Sequence, residues 1–319
     1  MDENKGYIEM GMRSSAKDIA KELFYRLGIC GSLLRVSCIC KNPGFFILVY
    51  HRTCASGSGR PYMATPADIF EQHMKFIKDN FKIVSMTEGL KNIYERKEKN
   101  ICVSVNLDDG YMDNYLYAYP VLKKYKVPAT IFLTTDYIGK NQVFWWDRVF
   151  NTVSSDEHAT DRINARLRTE KESEIQRIIK EMEDKSPLLK KAQPSMMLGW
   201  EEIRKMKEDG INFGSHTKTH RNLCLLNDEE VEEELEGSKN TIEENLGAGD
   251  MEFSYPFGIY DERIKSLAKK AGFGYARAGF KGFNHKDADR FALASICAGP
   301  NLKTSFLANR ISLSAFKTC

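Results

Sequence analysis

The run FFILVY, from Phe45 to Tyr50, is apolar on both faces of any strand it could form. A strand with one face in water alternates apolar and polar residues. A continuous run must be covered on both sides, as in a parallel sheet flanked by helices. ATIFLTT, from Ala129 to Thr135, has the same character. These runs restrict the chain to layered α/β architectures.

The segments between them read as helices. Thr65 is expected as an N-cap with Pro66 at the first helical position, and Ile69, Phe70, His73, Met74 and Ile77 then share one face. Lys82 to Met86 reads as a strand and Glu88 to Arg96 as a helix. In the strand Ile101 to Leu107, Cys102, Ser104 and Asn106 face opposite to Ile101, Val103, Val105 and Leu107. Tyr115 to Tyr125 reads as helical. Trp200 to Asp209 is a helix closed by Gly210, followed by the strand Ile211 to Ser215. Asn227 and Glu230 form a capping box for a helix to Leu246. Phe253 to Pro256 is a strand end, Tyr260 to Lys270 a helix before Gly272, and Tyr275 to Ala278 a last strand. Repeated strand–helix units predict a parallel α/β barrel, with a doubly wound sheet as the alternative. Neither a dinucleotide fingerprint nor a P-loop occurs. The expected organisation is a helical extension over 1–40 and a barrel domain over 41–319, with a charged helical insertion at about 151–195.

Bulk properties exclude several functions. The 319 residues carry a net charge of +3 and no arginine-rich stripe interleaved with aromatics, so nucleic acid is not an expected partner. The eight cysteines are scattered with no C-x-x-C pair, and read as free thiols in a reducing compartment. No signal peptide is apparent at Met1, which points to the cytoplasm. The stretch 27–40 is too short and too broken to span a bilayer, leaving packing on the domain or peripheral membrane contact.

In a parallel barrel the chemistry sits where strands end, on the carboxyl face. His51 follows FFILVY, Asp108 and Asp109 follow the second strong strand, and His216 follows INFGS with His220 four residues on. Tyr255, Pro256 and Phe257 follow another strand. Singly these features are ordinary: an Asp-Gly pair is usually a turn, and an H-x-x-x-H pair usually packs or hydrogen-bonds. Collected at one barrel mouth they form a catalytic metal set. The i, i+4 spacing places two imidazoles on one face of a helical turn, and one of the two aspartates completes the ligands. Its neighbour is then free to take a proton from water.

The stretches VNLDDGYMDNY (105–115), PVLKKYKVPATIFLTTDYIG (120–139), GSHTKTHRNL (214–223) and FSYPFGIYDE (253–262) resemble the polysaccharide deacetylases. These are carbohydrate esterase family 4, the NodB homology domain. The likeness runs from about Tyr50 to Ile311. It implies a distorted (β/α) barrel of seven or eight units and a metal-dependent hydrolase that removes N-acetyl groups from N-acetylated amino sugars in a glycan. O-acetyl ester hydrolysis and a non-catalytic glycan-binding barrel are the alternatives. The implied cofactor is a divalent metal, zinc first, with cobalt, manganese or nickel as alternatives. By resemblance Asp108 is the general base, and Asp109, His216 and His220 are the ligands. Tyr255, Pro256 and Phe257 form the groove wall, with the Phe257 N–H as an oxyanion donor. Tyr111, Trp145 and Trp146 are candidates to stack on sugar rings.

The chain departs from the family pattern in three places. An arginine that often steadies the base is Ser254, a frequent Leu-Pro-Arg reads Leu293-Ala294-Ser295, and the late general-acid histidine is missing. The Tyr50-His51 pair resembles a subgroup acting on poly-N-acetylglucosamine, which makes His51 the expected general acid, with His285 next.

Overall fold

In a computed structural model, residues 44–316 are described apart from 58–59, 96–100, 142, 154, 186–196, 280–281 and 300–301, together with Leu23. Apart from Leu23, the expected helical extension over 1–40 and the cysteines within it lie outside the described residues.

The strands β1 (Phe45–Tyr50), β5 (Cys102–Leu107), β6 (Ala129–Leu133), β7 (Asn212–Ser215), β8 (Glu252–Ser254) and β9 (Tyr275–Arg277) lie side by side in that order, all parallel. Three short strands lie between β1 and β5: β2 (Arg52–Cys54) and β3 (Ala64–Pro66), which pair with each other, and β4 (Lys82–Ile83), which pairs β5. After β9, β10 (Phe283–Asn284) runs antiparallel to the start of β1, and β11 (Ile296–Cys297) runs parallel to it. Leu293 bridges in parallel to Arg277, so the segment from 293 to 297 spans the seam between β9 and β1. The expected distorted parallel barrel is the observed architecture.

The strand alternation divides the core. Phe45, Ile47 and Val49 join Cys102, Phe132, Tyr275 and Leu293 in one cluster, the barrel interior. Phe46, Leu48 and Tyr50 face outward into a larger cluster under the helices. The helix α1 (Ala67–Asn80) covers that outer face with Phe70, His73, Met74 and Ile77. Its N-cap is Pro66 rather than Thr65, and no side chain caps it; Thr65 is instead paired in β3. The helix α2 (Met86–Glu95) plugs the interior from below with Met86, Leu90 and Ile93. A Cβ at Gly89 would lie 2.2 Å from the Phe45 ring, so this close approach needs glycine.

After β5 the chain makes a π-helical turn (Asn114–Ala118) and then α3 (Tyr119–Tyr125). The segment between β6 and β7 holds three helices, α4 (Trp145–Thr152), α5 (Glu157–Leu167) and α6 (Glu172–Lys185), of which α5 and α6 fall in the charged stretch expected to be helical. It has its own apolar cluster, in which Phe144, Trp145, Trp146, Val149 and Phe150 meet Leu167, Ile175 and Ile179. Then come α7 (Trp200–Glu208), α8 (Asp228–Leu246) with the expected capping box, α9 (Glu262–Lys270) and α10 (Thr304–Phe316). Among the described residues no helix is long and apolar enough to cross a membrane.

Candidate active site

Alternation carries the inward face of β5 one step past its end. Cys102, Ser104 and Asn106 point into the barrel, and Asp108 continues the series at the mouth. Asp109 and Gly110 then turn the chain with φ of 75° and 81°. Aspartate tolerates this left-handed conformation, and glycine adopts it freely. A Cβ at Gly110 would also meet Leu133 Cδ2 at 3.1 Å. The DDG turn thus sends two adjacent carboxylates to different neighbours.

His216 and His220 do not sit on a helical turn. The segment from 216 to 220 is a loop, with φ of 67° at Thr217 and 61° at His220. Loop geometry, not helical periodicity, brings the imidazoles together. Glu234 of α8, buried, holds the loop: one carboxylate oxygen accepts the Lys218 and Thr219 N–H groups, each at 2.9 Å, and the other accepts the Thr219 hydroxyl. The Thr217 hydroxyl accepts the His220 N–H at 3.0 Å.

The result is a convergent donor set. Asp109 Oδ1 lies 3.7 Å from His216 Nε2 and 3.4 Å from His220 Nε2, and the two nitrogens are 3.0 Å apart. His216 Nδ1 donates to the Ser254 carbonyl at 2.7 Å, which leaves Nε2 as the free lone pair. Asp109 Oδ1 is buried with no hydrogen-bond partner. Burial first, and then the adjacent Asp108 charge, push the Asp109 carboxyl well above its ordinary pKa, while burial lowers both histidines. These are groups arranged to favour a cation. One carboxylate and two imidazoles with their ligand atoms within 4.8 Å of one another fit a divalent metal with open positions.

Asp108 is held differently. Arg277, at the inward-facing end of β9, donates through Nη2 to Asp108 Oδ2 and to Ser254 Oγ. Burial raises Asp108, but Arg277, by charge and hydrogen bond, together with the neighbouring His216 and His51 more than offsets this, so its carboxyl lies below the usual value. Sequence reasoning missed Arg277. The available signal was its place two residues after Tyr275 in a strand read as buried, where alternation turns a cation inward. The arginine absent at Ser254 has a spatial substitute on the next strand.

His51 follows β1 and keeps about 18% of its side chain exposed, with Nε2 3.9 Å from Asp108 Oδ2. Burial, with a contribution from Arg277, lowers its pKa to about 4. His285 is elsewhere: it follows β10, which pairs with Phe45 and Phe46 at the opposite end of β1, and it packs on Phe283.

The cleft above these groups has a volume of about 560 Å³. Tyr255, Phe257, Trp145 and Trp146 line it. Phe257 has φ of 58°, a strained value for an aromatic residue, and its ring packs 4.6 Å from His220. Pro256 is buried at the start of that turn. Tyr111 stands behind the wall rather than on it. It is 1% exposed, donates to Asp147 at 2.8 Å and accepts from Trp146 Nε1 at 3.0 Å. A buried phenol in two hydrogen bonds cannot stack on a sugar, so the expected stacking role for Tyr111 is corrected to a supporting one.

The polysaccharide deacetylase family profile matches residues 95–276. A putative polysaccharide deacetylase, YxkH of Bacillus subtilis (strain 168), is 27% identical over 261 residues, 81% of this chain and 73% of that protein. A poly-beta-1,6-N-acetyl-D-glucosamine N-deacetylase of Staphylococcus aureus (strain MRSA252) is 26% identical over 220 residues, 65% of this chain and 58% of that protein. Among solved structures, the Streptococcus pyogenes deacetylase PplD in complex with acetate has a TM-score of 0.62 at 19% identity, covering 85% of this chain and 99% of its own. IcaB from Ammonifex degensii has a TM-score of 0.61 at 19% identity, covering 86% and 98%. At these identities the structural likeness concerns the fold.

Proposed function

The chain belongs to the polysaccharide deacetylase family, and from that premise we propose that it removes N-acetyl groups from N-acetylated amino sugars of a glycan. Asp109, His216 and His220 would hold a divalent cation, zinc first, with cobalt, manganese or nickel as alternatives. The carrying observation is the sharing of one cleft by a buried ligand triad, a separately held carboxylate and a histidine. When bound, a divalent cation acts as a Lewis acid on the acetyl carbonyl and makes nearby water more acidic.

The remaining steps belong to the chain. Asp108, kept ionised by Arg277, takes a proton from the attacking water as its oxygen bonds to the acetyl carbon. His51 enters neutral, because its pKa is about 4. Its Nε2 is 3.9 Å from Asp108 Oδ2, beyond a direct hydrogen bond, so it receives that proton through one bridging water and delivers it to the sugar nitrogen as the C–N bond breaks. Acetate and a free amine leave. Arg277 is a positioning residue: it acts on the substrate only through Asp108. The Phe257 N–H is the proposed oxyanion donor, a contribution typically of ~10²–10³ in rate. Trp145 and Phe257 form the wall against which a sugar ring would rest.

A nearby proton donor favours amide over ester, because an amine leaves poorly unless protonated. The test is to incubate the zinc-loaded protein with an N-acetylglucosamine oligomer and, separately, with acetylated xylan. Equal amounts of acetate and free amine from the first are expected. Acetate from xylan alone would replace this reading with an O-acetyl esterase.

A further inference from the structure

Two arginines line the cleft, Arg168 and Arg277, and Arg52 and Arg60 pair with residues near it; all of these but Arg168 have carboxylate partners. Arg52 is held by Asp113 at 2.7 Å and Asp147 at 3.3 Å, Arg60 by Glu157, and Arg277 by Asp108. Arg168 forms no ion pair among the described residues, and its Nε is buried without a hydrogen-bond partner. Leaving a guanidinium partly desolvated and unpaired is costly, so its position needs a cause.

That position is firmly set. Arg168 caps α5, with its N–H donating to Asn164 O at 3.0 Å. Its own carbonyl accepts from Asn222 Nδ2 at 2.7 Å, two residues after His220. The insertion is thereby tied to the histidine loop at the point where Arg168 leaves it. The guanidinium carbon lies 5.5 Å from the centre of the Phe257 ring. It lines the main cleft and also an adjoining hollow of about 280 Å³ that shares Trp145, His220 and Phe257 with it. In that hollow Arg221 is paired with Glu230 at 3.1 Å, and neither Glu170 nor Glu172 pairs with Arg168.

We infer that Arg168 is an anion subsite: the acceptor glycan carries a carboxylate or phosphate group beside the reacting acetamide, and the guanidinium of Arg168 takes it. A planar guanidinium supported on an aromatic face suits an oxyanion with two accessible oxygens. The inference rests on the cleft being a deacetylase cleft, and it adds which sugars enter it. It also gives the helices between β6 and β7 a purpose, since Arg168 is carried by the end of α5 and not by a barrel strand.

Binding tests it without relying on turnover. Three probes are titrated calorimetrically into zinc-loaded protein: a neutral N-acetylglucosamine oligomer, a disaccharide containing N-acetylmuramic acid, and N-acetylglucosamine 1-phosphate. The parent for these titrations carries Asp108→Asn, so that the heat reports binding and not hydrolysis; acetate release is followed separately with Asp108 intact. The parent should bind at least one anionic probe about tenfold or more tighter than the neutral one. Arg168→Gln should abolish the preference and leave neutral binding unchanged, and Arg168→Lys should keep part of it. Which anionic probe is preferred identifies carboxylate or phosphate. Equal binding of all three by the parent, an anion preference that survives Arg168→Gln, or equal weakening of all three in that variant would overturn the inference. An Arg168-dependent preference with no acetate released from any probe would keep the subsite and sink the deacetylase reading instead.

Discussion

Asp108 and Asp109 are adjacent in the chain and occupy different electrostatic surroundings. Arg277 holds one ionised, while the other faces two imidazole nitrogens with an unsatisfied oxygen. This predicts different failures. Asp108→Asn should bind zinc as the parent does and lose ~10³-fold or more in kcat; acetate release and elemental analysis read the two quantities. Arg277→Met should lower kcat by about 10–100-fold with KM and zinc content near parental values, and Arg277→Lys should recover part of it. Loss of zinc in Arg277→Met would mean that the arginine holds the barrel mouth together instead of positioning the base. The sequence exposed both aspartates, because they end an apolar strand. It hid Arg277 because the contact joins residues 169 positions apart, and no local pattern states which carboxylate a cation will meet.

Among the elements, strands were the most legible and loops the least. FFILVY and ATIFLTT announce buried strands through composition alone, and Asn227 with Glu230 announces the start of α8 through hydrogen-bond chemistry. The histidine pair misleads: i, i+4 spacing suggests a helix, yet two left-handed residues and Glu234 make the geometry. Glu234 lies on a helix whose pattern marks it only as another acid in an acidic run. Glu234→Ala should weaken zinc binding by roughly 10–100-fold in a competition titration against a chelator, with the helix content of the protein unchanged.

The helix α1 carries a second prediction. His73, fully buried, accepts from the Tyr50 hydroxyl at Nδ1 and donates from Nε2 to the Leu302 carbonyl at 2.7 Å, so it must be neutral. Burial lowers its pKa from 6.5 to about 4. A depressed histidine pKa means that the unfolded chain binds the proton more readily. The contribution to stability is therefore complete above pH ~6.5 and falls as pH drops toward 4, by roughly 3 kcal/mol in all. Urea midpoints at pH 7.5 and 4.5 should fall further in the parent than in His73→Gln. Equal falls would mean that His73 titrates normally.

At the scale of the whole molecule, the ends of the barrel strands carry His51, Asp108, Asp109, His216 and His220, and the helices between β6 and β7 carry part of the cleft wall. Their junction is a buried network in which Arg52 bridges Asp113 and Asp147, while Tyr111 links Asp147 to Trp146. The architecture was readable because parallel strands with helical crossovers have few arrangements. The wall was not, because the charge of the insertion describes its solvent face, while its inner face is an aromatic cluster fixed by tertiary contacts.

The central claim is that this cleft performs metal-assisted hydrolysis of an N-acetyl group. Its most direct test is acetate release from an N-acetylglucosamine oligomer by protein first stripped of metal and then given zinc or cobalt. The account predicts negligible release from the stripped protein and restored release once about one equivalent of metal is bound. Release that is indifferent to stripping, or its absence with metal stoichiometrically bound, would contradict it.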